Sequence, residues 1–345
     1  MDQATETIAT PLTERLGCRY PIISAGMGGP ARSELAAAVS AAGGFGLLGM
    51  VRESPELIAR EIAAVRQRTN RSFGVNLIPS ATEPKLLEDE LAACFDAGVP
   101  AMCFFWEVDA QAVAKAKRAG CLVLYQVGSV ADAVKAEDAG ADVIVVQGVE
   151  AGGHVRGRRA LSVLLPEVAD AVEVPVAASG GIVDGRGLAA ALALGADGVH
   201  CGTVFLASPE SFAHAYHKQR IVEAGPDMTV HTDLFAINWP PDSPVRVLKN
   251  SVTAAAGGKL WGYHPDELPR EAIADEEGRP LWRYGTDSPL RTTTGDLEAM
   301  ALYAGDGAAR VTAIRPAAEI VARIMAEAIA EIRASAASIC PVGRG

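Results

Sequence analysis

The chain lacks several signatures that would decide its class at once. No apolar run reaches the length of a membrane span. No basic stripe is visible: 31 Lys and Arg face 42 Asp and Glu, for a net charge of −11. That balance argues against a nucleic-acid partner and leaves small acidic or neutral ligands open. Six cysteines, at 18, 94, 103, 121, 201 and 340, include no C-x-x-C pair and no zinc-type spacing, so no metal is expected. Cys103, Cys121 and Cys201 lie in apolar runs and read as reduced core residues. The opening MDQATETIATPL has neither the basic nor the apolar region of a secretory signal, which makes a reducing cytoplasm the expected setting. Low-complexity runs and fixed-period repeats are also missing, apart from one alternation.

That alternation is strand, loop, helix. Short apolar runs rich in β-branched residues, each followed by glycine or polar residues, read as parallel strands buried on both faces. They fall at Tyr20–Ser24, Phe45–Leu48, Ser72–Leu77, Ala101–Phe105, Leu122–Gln126, Ala141–Val146, Val174–Ala178 and Gly198–Cys201. Helical stretches separate them, with Ser54 and Ser129 placed as N-caps. Eight such units in 345 residues, with 49% hydrophobic and 21% charged residues, fit a (β/α)8 TIM barrel better than a doubly wound open sheet. The alternation stops at about Pro209. The segment 209–297 is rich in Pro, Trp and charge, and holds Trp239, Trp261 and Trp282. Its aromatics argue against disorder. The expected division is therefore a barrel made of 1–208 and 298–345, with 209–297 inserted after strand eight as a lid over the mouth. Helices are expected to return at Asp296–Ala304 and Pro316–Ala334.

In such a barrel the chemistry sits where strands end. The strand ends here offer Ala25-Gly26-Met27, Asn76, Gln126, Gln147, Gly152-Gly153-His154, Ser179-Gly180-Gly181 and Gly202-Thr203. There is no carboxylate cluster for a metal and no Ser-His-Asp set. Carboxamides donate and accept at once, which suits the edge of a planar polar heterocycle. Glycine turns after the last two strands, ahead of helices, suit a phosphate. His154 is the candidate proton-transfer group. Each of these residues also has a plainer role as a turn or loop anchor. His200 reads as a satisfied barrel histidine, and His214, His217, His231 and His264 as surface residues. Lys249 and Tyr303 are candidates to reach substrate from above. Glu150 reads as a partner of loop amides, and Arg156, Arg158 and Arg159 as a solvated turn.

Taken together, PIISAGMGG, FGVNL, QGVEAGGH, VPVAASGGIVDGRG, GADGVHCGT and the late ALYAG resemble the nitronate monooxygenase family, once called 2-nitropropane dioxygenases. The resemblance implies a TIM barrel that binds FMN without a covalent link. By position it implies FMN contacts from Asn76, Gln147, Gly152, Gly181 and the run His200-Cys201-Gly202-Thr203, with His154 as the catalytic residue. The implied reaction takes alkyl nitronates, or nitroalkanes with His154 as base, and dioxygen to carbonyl compounds and nitrite. Where the family often has Y-A-G-Q, this chain has Tyr303-Ala304-Gly305-Asp306, which leaves the substrate end of the pocket open. An FMN-dependent NAD(P)H reductase on the same scaffold, of the enoyl-ACP or quinone type, is the rival reading. No separate Rossmann unit is present, so NAD(P)H would dock transiently. A non-catalytic flavin or phosphate-ligand binder is the third. The subunit count stays open, a homodimer included.

Overall fold

Eight of the apolar runs become eight parallel strands: β1 (Ile22–Ser24), β2 (Gly46–Gly49), β3 (Phe73–Leu77), β4 (Ala101–Phe105), β5 (Leu122–Val127), β6 (Val143–Gln147), β7 (Val176–Ser179) and β8 (Gly198–Cys201). The computed structural model describes residues 7–338. Around the sheet the strands run β1-β8-β7-β6-β5-β4-β3-β2. The ring closes at Phe45, whose carbonyl accepts from Ser24 N at 3.0 Å and whose N–H donates to the Ile22 carbonyl at 2.8 Å. This is the TIM barrel that eight unbroken β-then-α units require.

Side-chain alternation along each strand sorts residues between the inside of the ring and the helical layer. Ile23, Leu47, Cys103, Leu124, Val145 and Ala177 fill the lower interior together. Their outward neighbours, such as Ile22, Leu48, Met102, Val123, Ile144 and Cys201, pack with the helices in a separate and larger core. Each fully buried aliphatic side chain contributes about 1.5–3 kcal/mol. Two residues further along the same inward rows come Gln126, Gln147 and Ser179, all buried at the upper end. The barrel interior is thus apolar below and amide- and hydroxyl-lined above.

A helix not expected from the sequence, α1 (Pro11–Leu16), plugs the lower end. Its Leu12 and Leu16 complete the inner core. Thr10 caps it and Thr13 returns the bond, with Pro11 at the first turn. Six residues are too few to show a helical period. The expected outer helices follow as α2 (Ser33–Ala41), α3 (Pro55–Arg68), α4 (Pro84–Asp96), α5 (Ala110–Arg118), α6 (Val130–Asp138), α7 (Leu161–Ala169) and α8 (Gly185–Ala193). Ser54 and Ser129 cap α3 and α6 as anticipated. No helix among the described residues is long and apolar enough to cross a membrane.

After β8 the chain forms α9 (Thr203–Leu206), α10 (Ala215–Val222), β9 (Thr229–Thr232), β10 (Val245–Leu248) and α11 (Ser251–Ala255). A hairpin of β11 (Ala272–Glu276) and β12 (Arg279–Trp282) comes next. β10 pairs antiparallel with β9 and, on its other edge, with the two-residue strand Gly153–His154. The expected helix at Asp296–Ala304 does not form. A single 3-10 turn at Leu297–Ala299 is followed by extended chain. Leu248 N donates to the Leu302 carbonyl at 2.8 Å, and Val247 bridges to Tyr303. Pairing with an available strand edge has overridden the local helix preference of LEAMALYA. The last helix, α12 (Ala317–Ser338), packs on α8. Its Glu327 accepts from Gly185 N at 2.9 Å, at the positive end of α8. Cys340 lies outside the described residues.

Candidate active site

At the C-terminal mouth of the strands lies a cavity of about 760 Å³. Its walls include Ala25, Gly26, Met27, Asn76, Gln126, Gln147, Gly152, Gly153, His154, Ser179, Gly180, Gly181, His200, Gly202, Thr203 and Tyr303. Two expected residues are not there. Cys201 follows His200 in β8, so alternation turns its thiol outward into the helical core. Lys249 follows β10 and is exposed at the surface, and its carbonyl accepts from Arg220 at 2.9 Å. Strand parity was readable for Cys201, since His200 and Cys201 cannot both face inward.

The polar floor is partly committed to the protein itself. Asn76 Nδ2 donates to the Gly26 carbonyl at 3.1 Å. Ser179 Oγ and His200 Nδ1 are 2.9 Å apart, and burial holds the His200 imidazole well down, to about 4. Gln147 is spent on the loop that carries His154. Its Nε2 donates to the His154 carbonyl at 2.9 Å, and its Oε1 accepts from Arg156 N at 3.0 Å. Glu150 takes the Leu161 amide at 3.1 and 3.0 Å, the loop-anchoring role expected of it. Gly152 allows a close backbone approach. A Cβ there would sit 2.5 Å from Ala304 C and Gly305 N. Thr203 Oγ1 in turn accepts from Gly305 N at 3.0 Å.

The imidazole of His154 stands in a box of aromatic rings. Trp239 stacks on it at 3.8 Å between centroids and 21° between planes. Trp106 meets it edge-on at 6.0 Å and 90°, and Tyr303 is tilted at 6.0 Å. Nε2 is buried and has no hydrogen-bond partner. Desolvation among these rings, with the nearby Arg52 charge adding to it, pushes the imidazole down to about 3. The ring is therefore neutral at ordinary pH. Tyr303 spends its hydroxyl on the Thr286 carbonyl at 2.6 Å, so it contributes a ring wall more than a free donor.

Sequence reasoning missed Trp106, Trp239 and Arg52. Trp106 directly follows β4 and holds φ at 83°, rare for a bulky residue, with the Arg156 guanidinium 5.4 Å from its ring centre. Arg156 is thus a ring neighbour and not merely part of a solvated turn. His217, expected at the surface, is fully buried in α10 with Nε2 3.0 Å from the Tyr303 carbonyl. Asp306, the departure from Y-A-G-Q, turns away from the cavity to meet Arg246 Nη1 at 2.7 Å. The altered residue does not line the substrate end.

The sequence model of the nitronate monooxygenase family matches residues 9–327. The chain belongs to that family. Its relatives carry more than one chemistry. A Mycobacterium tuberculosis protein named (3aS,4S,5R,7aS)-5-hydroxy-7a-methyl-1-oxo-octahydro-1H-indene-4-carboxyl-CoA dehydrogenase is 40% identical over 228 residues. That match spans 65% of this chain and 63% of the relative's length. Among solved structures, FabK from Thermotoga maritima superposes with a TM-score of 0.82 at 31% identity, over 96% of this chain and 100% of its own. A nitroalkane oxidase from Streptomyces ansochromogenes gives 0.77 at 32% identity, over 95% and 100%. In this nitronate monooxygenase family member, each motif string that carried the resemblance contributes residues to the lining of one cavity.

Proposed function

We propose that the protein is an FMN-dependent nitronate monooxygenase that takes alkyl nitronates and dioxygen to carbonyl compounds and nitrite. The observation that carries this reading is the buried, unpartnered Nε2 of His154 beside an amide-lined cavity. A buried polar atom left without a partner costs about 1–3 kcal/mol, which a bound ligand relieves. The donor set fits FMN. Asn76, Gln126 and His200 face the cavity as edge partners for a polar ring system, and Gly180, Gly181, Gly202 and Thr203 would hold its phosphate. When bound, FMN supplies the electron acceptor for the substrate and the donor for dioxygen. The protein's part is to orient and to exclude water. A nitronate carbon has already lost its proton, so a neutral His154 suffices to hold the nitro group. The hairpin β11–β12, which contributes Arg279 and Leu281 to the cavity wall, and the wider 209–297 segment serve as the lid.

An FMN-dependent NAD(P)H reductase on the same scaffold is the second reading, supported by the superposition on FabK from Thermotoga maritima. One preparation separates the two. The nitronate reading expects a yellow protein whose flavin bleaches anaerobically with propyl-2-nitronate, and nitrite release in air. Bleaching by NADH or NADPH without nitrite would replace it with the reductase reading.

A further inference from the structure

Trp239, Arg52 and His154 lie far apart in the chain and form one contact. The Arg52 guanidinium is 4.5 Å from the Trp239 ring centre. It also donates from Nε to the Ala81 carbonyl at 2.5 Å and from Nη1 to the Asn238 carbonyl, immediately before Trp239. Arg52 and Asn238 both hold left-handed backbone, with φ of 59° and 73°. Two non-glycine residues in that region, on separate segments, are thus joined to each other by the Arg52–Asn238 hydrogen bond. Trp239 Nε1 is buried with no hydrogen-bond partner. Within the protein the indole makes its contacts through its ring, with the His154 imidazole on one side and the Arg52 guanidinium against it.

We propose that Trp239, seated by Arg52, is the positioning residue that sets the plane of the His154 ring and limits the width of substrate admitted beside it. This rests on the reading of His154 as the group that meets substrate. The imidazole nitrogens act in the plane of their ring, so whatever fixes the plane fixes their aim. Trp239 stacks on one face of the imidazole and Trp106 stands at a right angle to it, so turning the ring about its last side-chain bond breaks the stacked contact. The charged and titratable groups around this ring include Arg52, Tyr303 and, behind Trp106, Arg156 with Glu107, and Asp287 in the same cavity wall bears on both Arg52 and Tyr303. Arg52 is the charge that bears on it directly. Trp239 also lines the cavity, so its removal opens space over the face of the imidazole that it covers.

The test uses FMN-loaded Trp239→Phe, Trp239→Ala and Arg52→Lys, with flavin content and melting temperature as folding controls. The His154 ring is titrated by NMR in each, and kcat/KM is measured for a linear and a ring-bearing nitronate. In Trp239→Ala the ring should titrate in the ordinary histidine range, and preference should move at least about tenfold toward the ring-bearing substrate. Trp239→Phe should keep both wild-type properties, and Arg52→Lys should shift both part-way. An unchanged titration and unchanged preference in Trp239→Ala would overturn the proposal, as would Trp239→Phe behaving like Trp239→Ala. If Trp239→Ala does not fold, Arg52→Lys with wild-type titration and preference overturns it. If neither nitronate is turned over by wild type, the nitronate reading fails, and the His154 titration still decides the positioning role.

Discussion

The Gln147 carboxamide brackets His154, donating to its carbonyl at 2.9 Å and accepting from the amide two residues later at 3.0 Å. The catalytic candidate is thus held through its backbone by the strand beneath it and through its ring by Trp239 above it. Replacing Gln147 by Leu keeps the volume and leaves that half-buried carbonyl and amide without their side-chain partner. The expected loss is about 1–3 kcal/mol of stability for each. Urea denaturation should register it, and kcat should fall more than KM changes. A variant with wild-type stability would show that the clamp carries no weight.

Gly152 is a sharper case. In Gly152→Ala the new methyl would meet backbone atoms of Ala304 and Gly305 at 2.5 Å, with no flexible side chain to yield. The 304–305 segment must shift, and with it the Thr203–Gly305 hydrogen bond. Overpacking of this kind costs about 1–3 kcal/mol. Flavin retention on gel filtration should drop together with melting temperature; normal retention would contradict the close packing.

Four histidines pushed down by burial make stability acid-sensitive, with His154 and His231 adding to His200 and His217. Burial pushes His200 and His217 down to about 4 from an ordinary 6.5. The unfolded chain then binds protons that the folded chain refuses between those values. Their contribution is intact above pH 6.5 and is lost as pH falls toward 4. One pH unit between folded and unfolded midpoints is worth about 1.4 kcal/mol. Chemical denaturation at pH 7, 5.5 and 4.5 should give a falling series, and His217→Phe should flatten it. A stability independent of pH in this window would refute the assignment.

Glu90 works in the opposite direction. It is fully buried in α4, and burial outweighs the backbone amides of Arg52 and Glu53, pushing its carboxyl up to about 8. Stability from the neutral form is complete below 4.5 and is lost as pH rises through 8. Glu90→Gln keeps the shape without the charge. It should be more stable than wild type at pH 8.5, with the gap closing toward pH 5. A variant less stable than wild type at every pH would show that the carboxylate itself is needed.

Much of the site was legible because strand position and alternation carry it. Residues at the ends of strands, on the inward parity, had to meet at one mouth once eight units closed, and Asn76, Gln126, Gln147, Ser179 and His200 do. The same rule, applied one residue further, excludes Cys201. The extended chain near 300 was not legible, because LEAMALYA prefers a helix until a strand edge is offered. Lys249 is a related case: it follows the end of β10 and is exposed, and no local pattern announces it.

By itself, the order of residues determined the repeating β-then-α units, the closed barrel they build, and the polar ring at its top. These follow from periods of two and 3.6, which act over neighbouring residues. Only the tertiary structure decided that an indole at 239 lies on an imidazole at 154, backed by a guanidinium at 52. Contacts between segments that far apart depend on where the chain returns after β8, and no local spacing encodes that return.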